Sequence, residues 1–98
     1  MTLPEPLTPD EIAAARETLH DDWEMFGGKL HRELSFESFP AAFGFMTTIA
    51  LVAQEMGHHP DWFNQEGNVV IDVVTHDIGD AMSEMDFKLA LAIDRAAA

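Results

Sequence analysis

The chain has 98 residues, 47% of them hydrophobic, no cysteine and a formal charge of −13 at pH 7. That length indicates one domain over 1–98, and that composition a globular fold. It excludes disulfides and thiolate metal sites, fits a reducing compartment, and argues against direct contact with nucleic acid phosphates or anionic membranes.

Residues 1–7 are rich in proline and read as a loose lead-in. They lack the basic and apolar regions of a signal peptide, and no apolar run in the chain reaches membrane-spanning length, so a cytoplasmic location is expected. Thr8-Pro9-Asp10-Glu11 combines a cap, a proline at the first helical position and an acid three residues after the cap. It predicts a helix to about Leu19, with Ile12, Ala15 and Leu19 on one face. Strands are expected over residues 23–26 and 30–36, joined at Gly27-Gly28 as a hairpin, with Leu30, Leu34 and Phe36 sharing a face.

Ser38 is a good N-cap for the longest helix, 38–56, with Pro40 tolerated in the first turn and Gly57 suited to the position after its end. Phe39, Phe43, Met46, Ala50 and Ala53 form one stripe, and Phe45, Ile49, Val52 and Met56 widen it. A helix apolar over most of its circumference is buried on more than one side, and in so small a domain a second subunit is the expected cover. Trp62 to Asn64 predicts a short strand, residues 65–68 a turn, and Val69 to His76 a long β-branched strand. On that strand Val69, Ile71, Val73 and Thr75 would share one face, and Val70, Asp72, Val74 and His76 the other. Ser83 and Asp86 cap a last helix with Phe87, Ala90 and Leu91 as its stripe. The order is α-β-β-α-β-β-α, an α+β fold with a four-stranded antiparallel sheet and three helices on one face.

Three of the five histidines fall in two tight spots, His58-His59-Pro60 and Thr75-His76-Asp77. Extended by the following proline, adjacent rings point apart and hardly bind one metal ion, so no metal is assigned. Rings aimed at different parts of one pocket can instead protonate and deprotonate different atoms of a substrate. His76 alone reads equally as a surface histidine at a strand end. Asp86 reads as a helix-start acid, or as a carboxylate orienting a histidine. Trp62 reads as core, or as a flat stacking wall. Trp23, His20 and His31 read as structural or surface residues. No Gly-rich phosphate loop or cysteine nucleophile is present.

Taken together, Phe36-Glu37-Ser38-Phe39, Ala42-Phe43-Gly44-Phe45-Met46, His58-His59-Pro60-Asp61-Trp62-Phe63-Asn64, the strand ending in Thr75-His76, and Ser83-Glu84-x-Asp86 with Lys88-Leu89-Ala90 resemble the pterin-4a-carbinolamine dehydratase family. Its animal members are also called dimerisation cofactors of a homeodomain transcription factor. The resemblance covers about residues 23–96. It implies a hydro-lyase that converts 4a-hydroxytetrahydrobiopterin to quinonoid dihydrobiopterin and water, recycling the pterin of aromatic amino acid hydroxylases such as phenylalanine hydroxylase, with no cofactor. It implies that His58, His59, His76 and Asp86 are catalytic, and leaves open which histidine is acid and which is base; we expect His58 to be the acid at the hydroxyl. It implies that Gly57, His58, His59, Trp62, Val74, Thr75 and His76 hold the pterin, and that helix 38–56 builds a homodimer or homotetramer.

The chain departs from the family pattern in Gln54, where an acid is common four residues before the first histidine, and in Gly57. It also departs in a loop between His76 and Asp86 one residue longer than in animal members. A competing reading keeps the fold without the enzyme: an oligomerisation or assembly partner, or a transcriptional coactivator, in which the apolar helix is the working part.

Overall fold

The computed structural model describes residues 2–98. Thr8 caps α1 (Pro9–Arg16), and its Oγ1 accepts from Glu11 N–H while Glu11 reaches back to Thr8 N–H. The helix stops at Arg16, not at Leu19. Thr18 N–H and Leu19 N–H bond carbonyls three residues back, which tightens the last turn, and Arg16 donates to the carbonyls of Asp21 and Trp23. Leu19 is buried all the same.

The hairpin of β1 (Glu24–Phe26) and β2 (Lys29–Ser35) turns on Gly27 and Gly28, with φ of 59° and 77°. Two successive positive φ values are what the tight primed turn requires, and glycine adopts them without a Cβ clash. β3 (Asp61–Gln65) and β4 (Asn68–Val73) form the second hairpin. Here the chain passes so close to Phe36 that a Cβ on Gly67 would lie 2.4 Å from its carbonyl oxygen. The sheet is antiparallel throughout, in the order β1-β2-β4-β3.

The inward row Leu30, Leu34, Val69, Ile71 and Val73 is buried, and the outward positions His31, Glu33, Val70 and Asp72 are not. Helices α2 (Phe39–Met56) and α3 (Glu84–Ala97) cover the inward face, with Ile12 and Ala15 of α1 against the same core. This is the expected fold class. One charge lies on the inward face: Arg32, bonded to Asp94 at 2.5 Å.

Two further expectations need correction, on α3 and at the end of β4, and on α2 the structure settles which face is inward, a choice the sequence left open. On α2 the core takes Ala42, Phe45, Ile49 and Ala53, while Phe39, Phe43 and Leu51 stay 51%, 54% and 69% exposed. Almost every position of that helix is apolar, so the 3.6-residue period could not choose the inward face. On α3 the core takes Leu89 and Ile93 besides Phe87 and Ala90, and Leu91 is only half-buried.

The long strand ends at Val73, not His76. Val74 turns inward and is buried, Thr75 pairs in isolation with Ala81, and His76–Ile78 form a 3₁₀ turn. Among the described residues no helix is long and apolar enough to cross a membrane.

Candidate active site

The end of α2 fixes the first histidine. Gly57 adopts φ 67°, ψ 28°, its N–H bonds the Gln54 carbonyl at 3.2 Å, and His58 N–H bonds the Ala53 carbonyl at 3.1 Å. This paired closure satisfies the orphan carbonyls of the helix and makes His58 a member of its cap. The sequence reading placed Gly57 correctly.

From that cap the His58 ring reaches the N-terminus of α3. Nε2 lies 2.6 Å from Asp86 Oδ1, with the His58 side chain 11% exposed and Asp86 fully buried. Asp86 Oδ2 accepts from Thr75 Oγ1 at 2.8 Å and from Ser83 N–H at 2.9 Å. Thr75 Oγ1 also lies 2.7 Å from Ser83 Oγ. The single Thr75 proton goes to Asp86, so Ser83 is the donor to Thr75. Asp86 therefore holds both roles the sequence left open. It completes the capping box of α3, and it is the carboxylate behind a histidine. With three donors converging on it, it accepts from His58 Nε2–H and leaves Nδ1 as the nitrogen able to exchange a proton with a ligand.

His59 leaves the chain in another direction, as the proline after it requires. Its Nε2 lies 3.0 Å from Gln54 Oε1, an uncharged partner. His76 is half-exposed and lies between two carboxylates, with Asp80 Oδ1 2.6 Å from Nδ1 and Asp61 Oδ2 2.8 Å from Nε2. Bonding to Asp80 first, and to Asp61 next, raises its pKa above the usual histidine value.

Gly57, His58, His59, Val74, Thr75, His76 and Asp77 line one open cavity of about 180 Å³. Six of the seven residues expected to hold a substrate thus meet at one place. Trp62 does not line it. It is half-buried against the core, in line with its structural reading. A larger cleft of about 460 Å³ lies between residues 2–7 and the start of α3. Its ionisable residues are Glu5, Glu11 and Glu84 with no histidine, whereas the smaller cavity gathers three histidines, which makes the smaller one the candidate site. It is an open cavity lined by three imidazoles, where a ligand could exchange protons at more than one atom.

A family model described as pterin 4 alpha carbinolamine dehydratase matches residues 5–96. The chain belongs to this family. A relative in Solibacter usitatus, provisionally named pterin-4-alpha-carbinolamine dehydratase, is 50% identical over 76 residues, covering 78% of this chain and 79% of its own. The crystal structure of a transcriptional coactivator/pterin dehydratase from Brucella melitensis superposes with a TM-score of 0.89 at 34% identity, covering 96% of this chain and all of that one. A pterin dehydratase-like RuBisCO assembly factor of the alpha-carboxysome shares the fold, with a TM-score of 0.67 at 23% identity over 80% of this chain and 92% of that one.

Beyond the three histidines and Asp86, the geometry adds Asp61, Asp77 and Asp80, which sequence reasoning left without a role, and gives Gln54 and Ser83 contacts at the site. Asp61 had a signal, since it is an acid inside the His-His-Pro-x-Trp segment. Asp80 had only its place after a glycine in a turn.

Away from the site, His31 bonds Glu33 at 3.0 Å and Asp72 at 2.8 Å on the outer face of the sheet, and the two contacts raise its pKa in that order.

Proposed function

We propose that the chain dehydrates 4a-hydroxytetrahydrobiopterin to quinonoid dihydrobiopterin by general acid–base catalysis, and so recycles the pterin of an aromatic amino acid hydroxylase such as phenylalanine hydroxylase. A proton goes to the 4a-hydroxyl, the C4a–O bond breaks and water leaves. The N5–H proton is removed, and its electron pair forms the C4a=N5 bond. Nothing is oxidised or reduced overall, so two positioned imidazoles suffice.

The observation that carries the reading is the His58–Asp86 pair at 2.6 Å, at the wall of a cavity that also holds His59 and His76. His58 is the acid at the hydroxyl, because the buried carboxylate behind Nε2 holds the ring with Nδ1 as its exchanging atom. His59 and His76 serve the remaining transfer and hold the ring.

A stopped assay of 4a-hydroxytetrahydropterin breakdown tests this. The wild type accelerates the reaction, and His58→Ala loses at least about tenfold, or about 1.4 kcal/mol of barrier. Equal rates with and without the protein would remove the enzyme reading.

A second reading, an oligomerisation or assembly role, draws support from the exposed Phe39, Phe43 and Leu51 on α2. Large apolar side chains exposed on one helix suit an interaction surface, and a second copy of the helix is the proposed cover. Phe43 is the better probe, since Phe45 is buried in the core and a charge there would unfold the subunit. In light scattering the wild type runs as a dimer or tetramer and Phe43→Asp as a folded monomer. A monomeric wild type would overturn this.

A further inference from the structure

His58 and His59 each have a ring nitrogen without a protein partner among the described residues, and His76 has none. A ring with both nitrogens bonded to carboxylates can neither donate to nor accept from a ligand. One carboxylate must give way before His76 takes part in any reaction.

The two carboxylates are held differently. Asp61 opens β3 and stands directly opposite Asp72 in β4. Opposed side chains in an antiparallel pair share a face, and like charges so placed are destabilising unless each has its own counter-group. Asp72 has His31, at 2.8 Å, and Asp61 has His76, at 2.8 Å. The strand ladder and this alternation of carboxylate and imidazole fix Asp61 in place.

Asp80 lies in a surface turn. With Gly79 at φ 73° and Asp80 itself at φ 60°, the chain reverses so that Ala81 can pair with Thr75. A non-glycine residue in that region is strained, though aspartate tolerates it better than most. The turn brings the Asp80 carboxylate onto His76 Nδ1.

We propose that Asp61 and Asp80 are positioning residues of the cavity: Asp61 is the fixed partner that orients the His76 ring through Nε2, and Asp80 is the exchangeable partner that cedes Nδ1 to the bound pterin. The raised pKa of His76 agrees with the paired geometry. This rests on the dehydratase reading for its kinetic part alone. Without ligand, Asp80 closes His76 off. With ligand, the substrate replaces one carboxylate while the other keeps the ring from swinging out.

The test uses the full chain with ¹⁵N-labelled histidine rings and the pterin assay, in Asp61→Asn and Asp80→Gly. Glycine takes the backbone angle of Asp80 without strain, so that variant folds. In substrate-free protein, the His76 ring nitrogen signals of both variants move away from the wild-type positions. Asp61→Asn lowers kcat about tenfold, as a ring loses its orientation. Asp80→Gly lowers KM about threefold, as the competitor for Nδ1 is gone and more of the protein is binding-competent. Ring signals that superimpose on wild type in both variants would overturn the clamp. Identical kinetic effects in the two variants would overturn the division between fixed and exchangeable partner. An inactive wild type would count against the dehydratase reading, while the ring signals would still decide the clamp.

Discussion

Asp86→Asn is expected to cost about 2–3 kcal/mol of stability and to lower dehydratase turnover about a hundredfold. The carboxylate is fully buried and receives three hydrogen bonds, from His58 Nε2–H, Thr75 Oγ1–H and Ser83 N–H. An amide offers one oxygen and one NH₂ group, so one side of it must face a donor. If the NH₂ faces Thr75 and Ser83, the capping box of α3 is lost, the buried Ser83 N–H is stranded, and Thr75 must turn its proton towards Ser83. If it faces His58, Nε2 must accept instead of donate, and the buried carboxylate that holds the ring with Nδ1 as its exchanging atom is gone. Either orientation damages both fold and site. Denaturant melts and the stopped assay, run on one preparation, check the two effects. A variant with wild-type stability and turnover would remove Asp86 from both roles.

Asp94→Ala is expected to be the most destabilising single change, at about 3–5 kcal/mol. Asp94 accepts from Arg32 Nη1 at 2.5 Å and Trp23 Nε1 at 2.7 Å through Oδ1, and from His20 N–H at 2.8 Å through Oδ2. Arg32 and Trp23 are both buried. Removing the carboxylate leaves a guanidinium in the core with no counter-charge and an indole N–H with no acceptor. It also releases the segment before β1 from α3. A domain of this size has about 5–15 kcal/mol in total, so thermal unfolding should start roughly 15 °C lower. Arg32→Met should cost far less. Its Nε has no partner even in the native chain, and the Asp94 carboxylate would keep Trp23 and His20. If Arg32→Met proves the more damaging of the two, the ranking is wrong and packing of the arginine stem dominates.

These two carboxylates show where the sequence was legible. Asp86 sits three residues after Ser83, inside a capping pattern that can be read locally, and the same holds for Thr8 with Glu11, Ser38 and Gly57. Gly27-Gly28 likewise announced its turn, because few residue pairs accept two positive φ values. Asp94 carried no such sign. Its partners are 62, 71 and 74 residues away, and only the docking of α3 against β2 and the segment before β1 joins them.

The end of β4 was misread for a related reason. Val73-Val74-Thr75 continues the β-branched run without a break, and nothing local marks where the ladder to β2 and β3 runs out. The Asp61 and Asp80 contacts to His76 were hidden behind that error, since they depend on the 3₁₀ turn that replaces the strand end. The cavity itself was largely legible, through the adjacent histidines and the resemblance they carry.

The closure of α2 on Gly57 and His58 has a mechanical side. Eighteen residues of α-helix span roughly 27 Å. His58 is tied by its backbone to the last turn of that rod, so a five-degree tilt pivoting at Ser38 would carry the ring by roughly 2 Å. Its 2.6 Å contact to Asp86 has no slack for such a swing. The lever that displays Phe39, Phe43 and Leu51 is therefore also the arm on which His58 is mounted. Substitutions that change how the helix leans would show up at the imidazole before they show up in the core.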